Sequence, residues 1–232
     1  MKEYRVKPLS GGDTPLEWKH DLLPRPPFRI CVVAPSNTGK SVLTSYFIGS
    51  DEMPYKDFFK SNVFIFSPTF KLGSMDIPAV KKANIFDSFE PEIVDEIVKE
   101  QEDLFSRFKK QMHLLFILDD VVSDLNQRKK DALKKLFFHG RHVKISVILL
   151  SQQYKAIPKA IRMNASALII MLLNSSAERK SVSEEQPFQE TKFLGIVDDA
   201  LEDQQYSFLV VNYANPKDRK LQLRFSDQFY EI

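Results

Sequence analysis

The sequence has little cysteine, tryptophan and glycine, and it has no long apolar run. Its 232 residues include one cysteine, one tryptophan and seven glycines. One cysteine excludes an internal disulfide bond and a thiolate metal site, and it fits a reducing, intracellular setting. No apolar run approaches the roughly 20 residues that span a bilayer, and the polar N-terminus MKEYRVKPLSGGD lacks a signal-peptide pattern. We therefore expect a soluble protein without a membrane partner.

An excess of one charge is also lacking. The chain has 33 basic and 31 acidic residues, a net charge of +2, so any contact with nucleic acid must be local. One segment, NQRKKDALKKLFFHGRHVK from Asn126 to Lys144, is basic. Its cations are Arg128, Lys129, Lys130, Lys134, Lys135, Arg141 and Lys144.

Length and composition predict one domain with an N-terminal extension. The hydrophobic fraction of 43% is sufficient for a complete core. Residues 1–27 contain Pro- and Gly-rich stretches around Trp18, so we expect an irregular arm that packs this ring against the domain or a neighbour. Residues 28–232 are predicted to form the folded domain.

The most informative segment is RICVVAPSNTGKS, from Arg29 to Ser41. An apolar strand, a small polar loop and Gly-Lys-Ser before a helical apolar pattern are typical of a nucleotide-binding P-loop. In this motif, backbone N–H groups surround the phosphates, the lysine reaches the β and γ oxygens, and the hydroxyl holds Mg²⁺. The predicted ATP-binding residues are Ala34, Pro35, Ser36, Asn37, Thr38, Gly39, Lys40 and Ser41. Ala34 replaces the usual first glycine, which a negative φ permits.

A second apolar run ends in two acids. Leu114 to Leu118 is typical of a parallel strand covered on both faces, and Asp119 and Asp120 follow it. We predict that Asp119, the Walker B residue, holds Mg²⁺ together with Ser41. Asp120 is then the candidate general base or water-positioning group for attack on the γ-phosphate. The alternative is an acidic turn or a helix N-cap.

Gln152 follows another apolar run, Lys144 to Leu150. A polar side chain at this strand end can sense the γ-phosphate, whereas the alternative is an ordinary surface glutamine. His139 and His142 suggest a metal pair only weakly, because no cysteine or adjacent carboxylate accompanies them.

The remaining pattern alternates strands and helices. The other predicted elements are a strand in 62–68, helices over 90–112 and 188–202, a helix capped by Ser123 or Asp124 and stopped by Gly140, an apolar run at 167–172, and a C-terminal hairpin turning at 214–217. The helix over 90–112 is amphipathic, and the residues expected on its buried face are Ile93, Ile97, Leu104, Phe105 and Phe108. This order predicts an α/β fold, a three-layer α/β/α sandwich with a mostly parallel central sheet and a C-terminal β-hairpin. The nucleotide should bind at the carboxyl ends of the strands.

The order of APSNTGKS, LLFILDD and GRHVKISVILLSQQYKAIPKAIRMNASALII resembles the genome-packaging ATPases of poxviruses and other large DNA viruses, within the FtsK/HerA superfamily of DNA-pumping motors. The resemblance covers about residues 28–185. It implies a RecA/FtsK-like P-loop NTPase that uses ATP and Mg²⁺ to move double-stranded DNA into a capsid. Asp-Asp stands where many relatives have Asp-Glu, so the base is shorter and must approach the water more closely or act through a second water molecule.

The resemblance also implies partners and a further catalytic residue. Arg141 matches an arginine before the Gln152 strand and is the candidate arginine finger toward an adjacent subunit, with Arg162 as the other choice. A homo-oligomeric ring, expected to be a hexamer, would hold the DNA backbone through the cluster at 128–135 or through loops near Lys155 and Lys159. A solvated helix face is the alternative for that cluster. Capsid vertex proteins are further partners, and the host-cell cytoplasm, the viral factory and the virion are the expected locations.

Two other functions remain open at this point. The first is a P-loop kinase or GTPase, although no guanine-specifying Asn/Thr-Lys-x-Asp segment follows the Walker B strand and the sequence has no evident Arg-rich lid. The second is a nucleotide-binding assembly factor without motor activity. The residue that contacts the base is not evident, and Trp18 and Tyr154 are only candidates.

Overall fold

The computed structural model describes residues 18–77, 80–202 and 204–231. Most of the predicted N-terminal arm, residues 1–17, lies outside these ranges. Trp18, at the start of the described chain, stacks on Tyr55 with a ring-centroid distance of 5.3 Å. Its ring therefore packs against the domain, as the sequence predicts for an arm with one large aromatic.

The described residues form one nine-stranded mixed sheet in the order β3-β2-β4-β5-β1-β6-β7-β8-β9. The strands are β1 Arg29–Val33, β2 Val63–Phe66, β3 Ile85–Phe86, β4 Leu114–Asp119, β5 Ile145–Ser151, β6 Ala167–Ile170, β7 Leu209–Asn212, β8 Leu221–Leu223 and β9 Phe229–Tyr230. Pairing is parallel from β3 through β6 and antiparallel from β6 through β9. The mostly parallel sheet and the C-terminal hairpin are therefore confirmed.

Helices cover both faces of the sheet. They are α1 Lys40–Gly49, α2 Tyr55–Phe59, α3 Pro91–Phe108, α4 Gln127–His139, α5 Lys159–Arg162, α6 Ser176–Ser183 and α7 Glu190–Glu202. Side chains along β4 alternate between the two layers: Leu114, Phe116 and Leu118 pack with α3 and α4, whereas Leu115 and Ile117 pack with α1 and α2. This alternation follows from the two-residue period of a strand, and it explains why β4 is apolar at every position from Leu114 to Leu118.

The register of the parallel strands brings three chain segments to one edge. Val33 of β1 pairs with Ser151 of β5, and Asp119 of β4 pairs with Leu150. The loops that follow these strands therefore begin side by side, at the carboxyl edge where ligands bind in open α/β sheets.

The third helix is shorter than the sequence predicted. Instead of residues 90–112 it covers Pro91–Phe108, and Lys109 ends it with a φ of 53°. Phe105 and Phe108 were expected on its buried face but are exposed. The buried stripe runs through Val94, Val98 and Gln101, so the helix uses a different face toward its end.

The start of α4 also differs from the expectation. Asn126 is the N-cap, and its Oδ1 accepts a hydrogen bond of 2.9 Å from the Lys129 N–H. Ser123, one predicted cap, lies in a preceding 3-10 turn, Val121–Asp124. The helix ends before Gly140 as expected, although the chain continues there into a second 3-10 turn, Gly140–Val143, and not into a left-handed residue.

The hairpin is longer than its predicted turn at 214–217. The β7–β8 connection spans residues 213–220 and contains a 3-10 turn, Lys217–Arg219. Among the described residues, no helix has both the length and the apolar character that crossing a membrane requires.

We predict that Gln101→Leu lowers the free energy of unfolding by roughly 2–4 kcal/mol. The buried Gln101 amide donates to the Met112 carbonyl at 2.5 Å and to the Val143 carbonyl at 3.1 Å, and it accepts from the Met112 N–H at 3.3 Å. Leucine would leave these backbone groups without their partner. Urea unfolding of the variant measures the change. The matched control is Glu100→Leu, an exposed position on the same helix, and an equal effect of both substitutions would contradict the prediction.

Candidate nucleotide site

The loop after β1 is held open by two left-handed residues. Asn37 has a φ of 61°, and Gly39, the N-cap of α1, has a φ of 93°. Gly39 is therefore required by its backbone conformation, because an L side chain is strained there. Ala34 is fully buried outside the left-handed region, and its N–H donates to the Ser151 carbonyl at 3.1 Å. An alanine satisfies this position, as the sequence predicts.

The Lys40 side chain curls back under the loop. Its Nζ donates to the carbonyl oxygens of Ala34 and Pro35, each at 2.7 Å. Burial lowers the pKa of this ammonium, while the nearby Asp120 and Asp119 carboxylates act in the opposite direction. The cation is thus held by backbone oxygens at the start of α1, next to the two acids.

Asp119 is only 5% exposed, and its carboxylate is contacted by two hydroxyl groups from the residues that follow β2. The Ser67 hydroxyl donates to its Oδ2 at 2.8 Å, and the Thr69 hydroxyl lies 3.4 Å from the same oxygen. Burial raises the pKa of the Asp119 carboxyl, and the Ser67 hydrogen bond partly offsets this. Sequence reasoning missed Ser67 and Thr69; the only available signal was their position just after the apolar strand β2.

Gln152 connects the predicted P-loop, residues 34–41, to Asp120. Its Nε2 donates to Oδ2 of Asp120 at 2.8 Å, and its Oε1 accepts from the Ser36 hydroxyl at 2.8 Å. Asp120 has a left-handed backbone, with a φ of 53°, directly after β4. The residues predicted from the loop after β1, from the end of β4 and from the end of β5 therefore meet at one place.

The donor set at this edge fits a Mg²⁺ ion that is carried in by a nucleotide. No group of three or more His, Cys, Asp or Glu residues in the described ranges could hold a metal by itself. Magnesium sites of the nucleotide type use one or two carboxylates with phosphate oxygens and water. The Asp119 carboxylate and the Ser41 hydroxyl at the start of α1 are groups of this kind.

The structure places Arg141 away from this site. It is exposed in the 3-10 turn that precedes β5, and its Nε donates to Nε2 of His142 at 3.3 Å. Gln152 follows the other end of β5. Seven residues of strand separate the two ends, a distance of about 20 Å. Arg141 therefore lies at the amino edge of the sheet and Gln152 at the carboxyl edge.

Arg162 is engaged inside the chain. Its side chain is 7% exposed and pairs with Glu185 at 2.5 Å. The guanidinium also lies over the Tyr154 ring, 4.7 Å from its centroid. Tyr154 is consequently buried beneath Arg162, and the interpretation of Tyr154 as a base-contacting ring is wrong. Trp18, the other candidate, is stacked on Tyr55.

A cavity of about 700 Å³ adjoins the phosphate loop. Its lining residues are Asn37, Gly39, Lys40, Ser41, Val42, Leu43, Tyr46, Ser74, Met171 and Tyr206. Tyr206 was not recognised from the sequence, because it belongs to a turn without a motif or an apolar period. The cavity thus joins the predicted phosphate-binding residues to an apolar and aromatic wall.

The basic cluster on α4 is partly neutralised by α3. Arg128 pairs with Glu92 at 2.6 Å, and Lys135 pairs with Asp95 at 2.7 Å. These contacts favour the alternative of a solvated, ion-paired helix face for this cluster. The other predicted DNA-contacting lysines, at 155 and 159, are exposed and lie in the segment that connects β5 to β6.

The comparisons with known proteins agree with this architecture. The family model described as Poxvirus A32 protein matches residues 16–212. The uncharacterized protein 075L of Invertebrate iridescent virus 6 is 27% identical over 191 residues, which cover 78% of this chain and 68% of that protein.

Solved structures with low sequence identity have the same fold. The genome packaging NTPase B204 of Sulfolobus turreted icosahedral virus 2, in complex with AMPPCP, has a TM-score of 0.57 at 14% identity and covers 90% of this chain and 100% of its own. EssC from Geobacillus thermodenitrificans, ATPases 2 and 3, has a TM-score of 0.58 at 15% identity and covers 88% of this chain and 39% of its own. The three-layer P-loop NTPase fold predicted from the sequence is thereby confirmed.

We predict that Asp119→Asn raises the melting temperature at pH 7 by roughly 2–4 °C, which corresponds to about 1 kcal/mol for a chain of this size. Burial raises the pKa of this carboxyl in the folded state, so its ionised form opposes folding, while asparagine keeps an oxygen for Ser67. This destabilisation is complete at pH values above the pKa of Asp119 in the folded state. It decreases as the pH falls from there toward about 3.9, the pKa of an aspartate in the unfolded chain.

Differential scanning fluorimetry between pH 4 and pH 7 measures this difference. Asp227→Asn, which removes an exposed carboxylate, is the matched control. A variant that is less stable than the wild type at pH 7, or a gain that grows toward pH 4, would show that the Asp119 charge is not opposed by the fold.

Proposed function

Because the chain belongs to the poxvirus A32 protein family, we propose that it is an ATPase that moves double-stranded DNA into a viral capsid as part of a homo-oligomeric ring. The observation that carries the proposal is the meeting of Lys40, Asp119, Asp120 and Gln152 at one sheet edge. The packaging NTPase B204, which shares this fold, was solved with ATP analogues, and this supports ATP as the nucleotide.

Each group has a distinct role in the proposed site. The N–H groups at the start of α1 and the Lys40 ammonium bind the phosphates, once Lys40 exchanges its carbonyl partners for phosphate oxygens. Mg²⁺, when bound with the nucleotide, would be held by Ser41 and Asp119 and would neutralise charge on the phosphates. Asp120 orients the attacking water or accepts its proton.

Gln152 is proposed to report the state of the phosphates. Its amide contacts Ser36 in the phosphate loop at one end and Asp120 at the other. A γ-phosphate that draws Ser36 toward itself therefore also changes the hydrogen bond that Asp120 receives. This arrangement couples nucleotide occupancy to the position of the catalytic carboxylate.

Arg141 is proposed to act on the site of an adjacent subunit. The nucleotide site of the same chain lies at the opposite edge of the sheet, so Arg141 cannot reach it. Arg162 is the weaker choice, since it is buried and paired with Glu185. A ring of such subunits, which we expect to be a hexamer, would bring an Arg141 to every site.

The DNA contacts are proposed to involve the loop after β5. Lys155 and Lys159 are exposed there, and they follow Gln152 closely in the chain. Lysines bind phosphates without reading the sequence, so the contact suits a motor that must handle every part of a genome. Capsid vertex proteins remain the proposed partners of the assembled ring.

We expect long double-stranded DNA to stimulate steady-state ATP hydrolysis by the purified protein, and we expect Lys40→Ala to abolish hydrolysis with and without DNA. The lysine supplies the charge that binds the β and γ phosphates. Phosphate release over time is the measurement. Hydrolysis that is indifferent to DNA across a range of ionic strengths would contradict the motor proposal.

A pair of double variants identifies the DNA surface in the same assay. The double variant Lys155→Ala with Lys159→Ala should reduce the stimulation of ATP hydrolysis by DNA. The hydrolysis that remains should still require Lys40. Arg128→Ala with Lys135→Ala is the matched control, since these side chains are paired with α3 acids. A larger loss in the control pair would place the DNA on α4.

We expect Arg141→Ala to lower turnover by roughly 10³-fold or more, the range of arginine fingers. If the arginine acts between subunits, mixing the Arg141→Ala and Lys40→Ala proteins should restore part of the activity, because some sites then combine an intact P-loop with a neighbour's Arg141. Hydrolysis as a function of mixing ratio is the measurement. An absence of recovery from subunits shown to exchange would contradict action between subunits.

A further inference from the structure

Tyr206 combines two properties that folding alone does not favour. Its backbone is left-handed, with a φ of 63°. Bulky residues rarely adopt this conformation, and backbone outliers of this kind are concentrated at ligand sites. Its side chain is also 62% exposed, so burial of the ring does not compensate for the strained backbone. Asparagine or glycine would make the same turn with less strain.

The ring of Tyr206 lies directly beside the phosphate loop. A Cβ atom placed on Gly39 would be 3.3 Å from Cδ1 of Tyr206 and 3.5 Å from Cε of Met171. Tyr206 lies in the turn before β7, and Met171 follows β6. Two segments distant in sequence from the P-loop therefore supply the wall of the cavity next to its glycine.

The first turns of α1 supply further apolar groups to the cavity. Val42 and Tyr46, one helical turn apart, are both exposed and both line it. The Tyr46 hydroxyl is bonded to Glu52, which leaves the ring itself as the group that faces a ligand. The volume of about 700 Å³ lies within the range of small-molecule sites.

We propose that Tyr206 is the ring on which the base of the bound nucleotide stacks, with Met171 and the Val42 side of α1 completing an apolar base pocket. This inference rests on the proposed function, in which the P-loop binds a nucleoside triphosphate. In this arrangement the phosphates bind to Gly39, Lys40 and Ser41 and the base lies against Tyr206, all of which line the same cavity. Stacking uses the π-face that every base has, so Tyr206 contributes affinity and not the choice between bases.

The test uses the full chain and the variant Tyr206→Asn. Asparagine removes the ring while tolerating a positive φ, so the turn and the melting temperature should be retained. We expect the dissociation constants of ATP and GTP to rise by similar factors, roughly tenfold, the size of one base–aromatic stack. Isothermal titration calorimetry measures binding. Inorganic tripolyphosphate, which has no base, should bind both proteins equally.

Two variants complete the design. Tyr206→Phe keeps the ring and should retain the ATP affinity, whereas Phe108→Asn removes a similarly exposed ring, 65% exposed on α3, and should leave ATP binding unchanged. Unaltered ATP binding by Tyr206→Asn would overturn the inference. An equal loss of ATP and tripolyphosphate binding would also overturn it, since it would show that the ring only supports the loop. A wild-type protein that binds neither ligand would instead refute the proposed function.

Discussion

The parallel register of β1, β4 and β5 is the constraint on which the candidate site depends. These strands are buried on both faces, so a shift along any of them would move apolar side chains out of their layer. The pairing of Val33 with Ser151 and of Asp119 with Leu150 fixes where each following loop begins. The strand pairing thereby brings polar groups from three distant segments close enough to form hydrogen bonds with one another.

The polar groups at this edge are compensated mainly by their immediate neighbours. Lys40 donates to two backbone carbonyls, Asp119 accepts a hydrogen bond from the hydroxyl of Ser67 just after β2, and the Gln152 amide uses both its donor and its acceptor. Buried charges are costly unless they are hydrogen-bonded, and here the fold supplies the bonds in advance. The pKa shifts of Lys40 and Asp119 toward their neutral forms show that the compensation is incomplete, as is common in sites that await a charged ligand.

The fold and the meeting of Lys40 with Asp119 at one sheet edge could be predicted from the sequence, because both depend on local sequence patterns. Strand, loop and helix around Lys40 form a contiguous motif, and the apolar run before Asp119 marks a covered strand. Ser67 and Tyr206 were missed, since each is brought to the site by pairing or by a turn and neither has a motif. The pairing of Arg128 with Glu92 could not be predicted for the same reason. A run of basic residues does not indicate which acidic residues another helix places next to it. The prediction for the end of α3 was wrong, because Phe105 and Phe108 are apolar residues that the core does not cover.

The placement of Arg141 and the P-loop at opposite edges of one sheet restricts the symmetry of any assembly in which they meet. Two arrangements satisfy this placement: two subunits give each other their Arg141 across a two-fold axis, or each subunit gives Arg141 to one neighbour and receives it from another. The second contact is heterologous, and each added subunit presents a new free edge. Such a contact ends only when the rotation per subunit closes a circle; any other rotation extends it as a helix. The angle at this interface would therefore decide between a finite motor and an open filament.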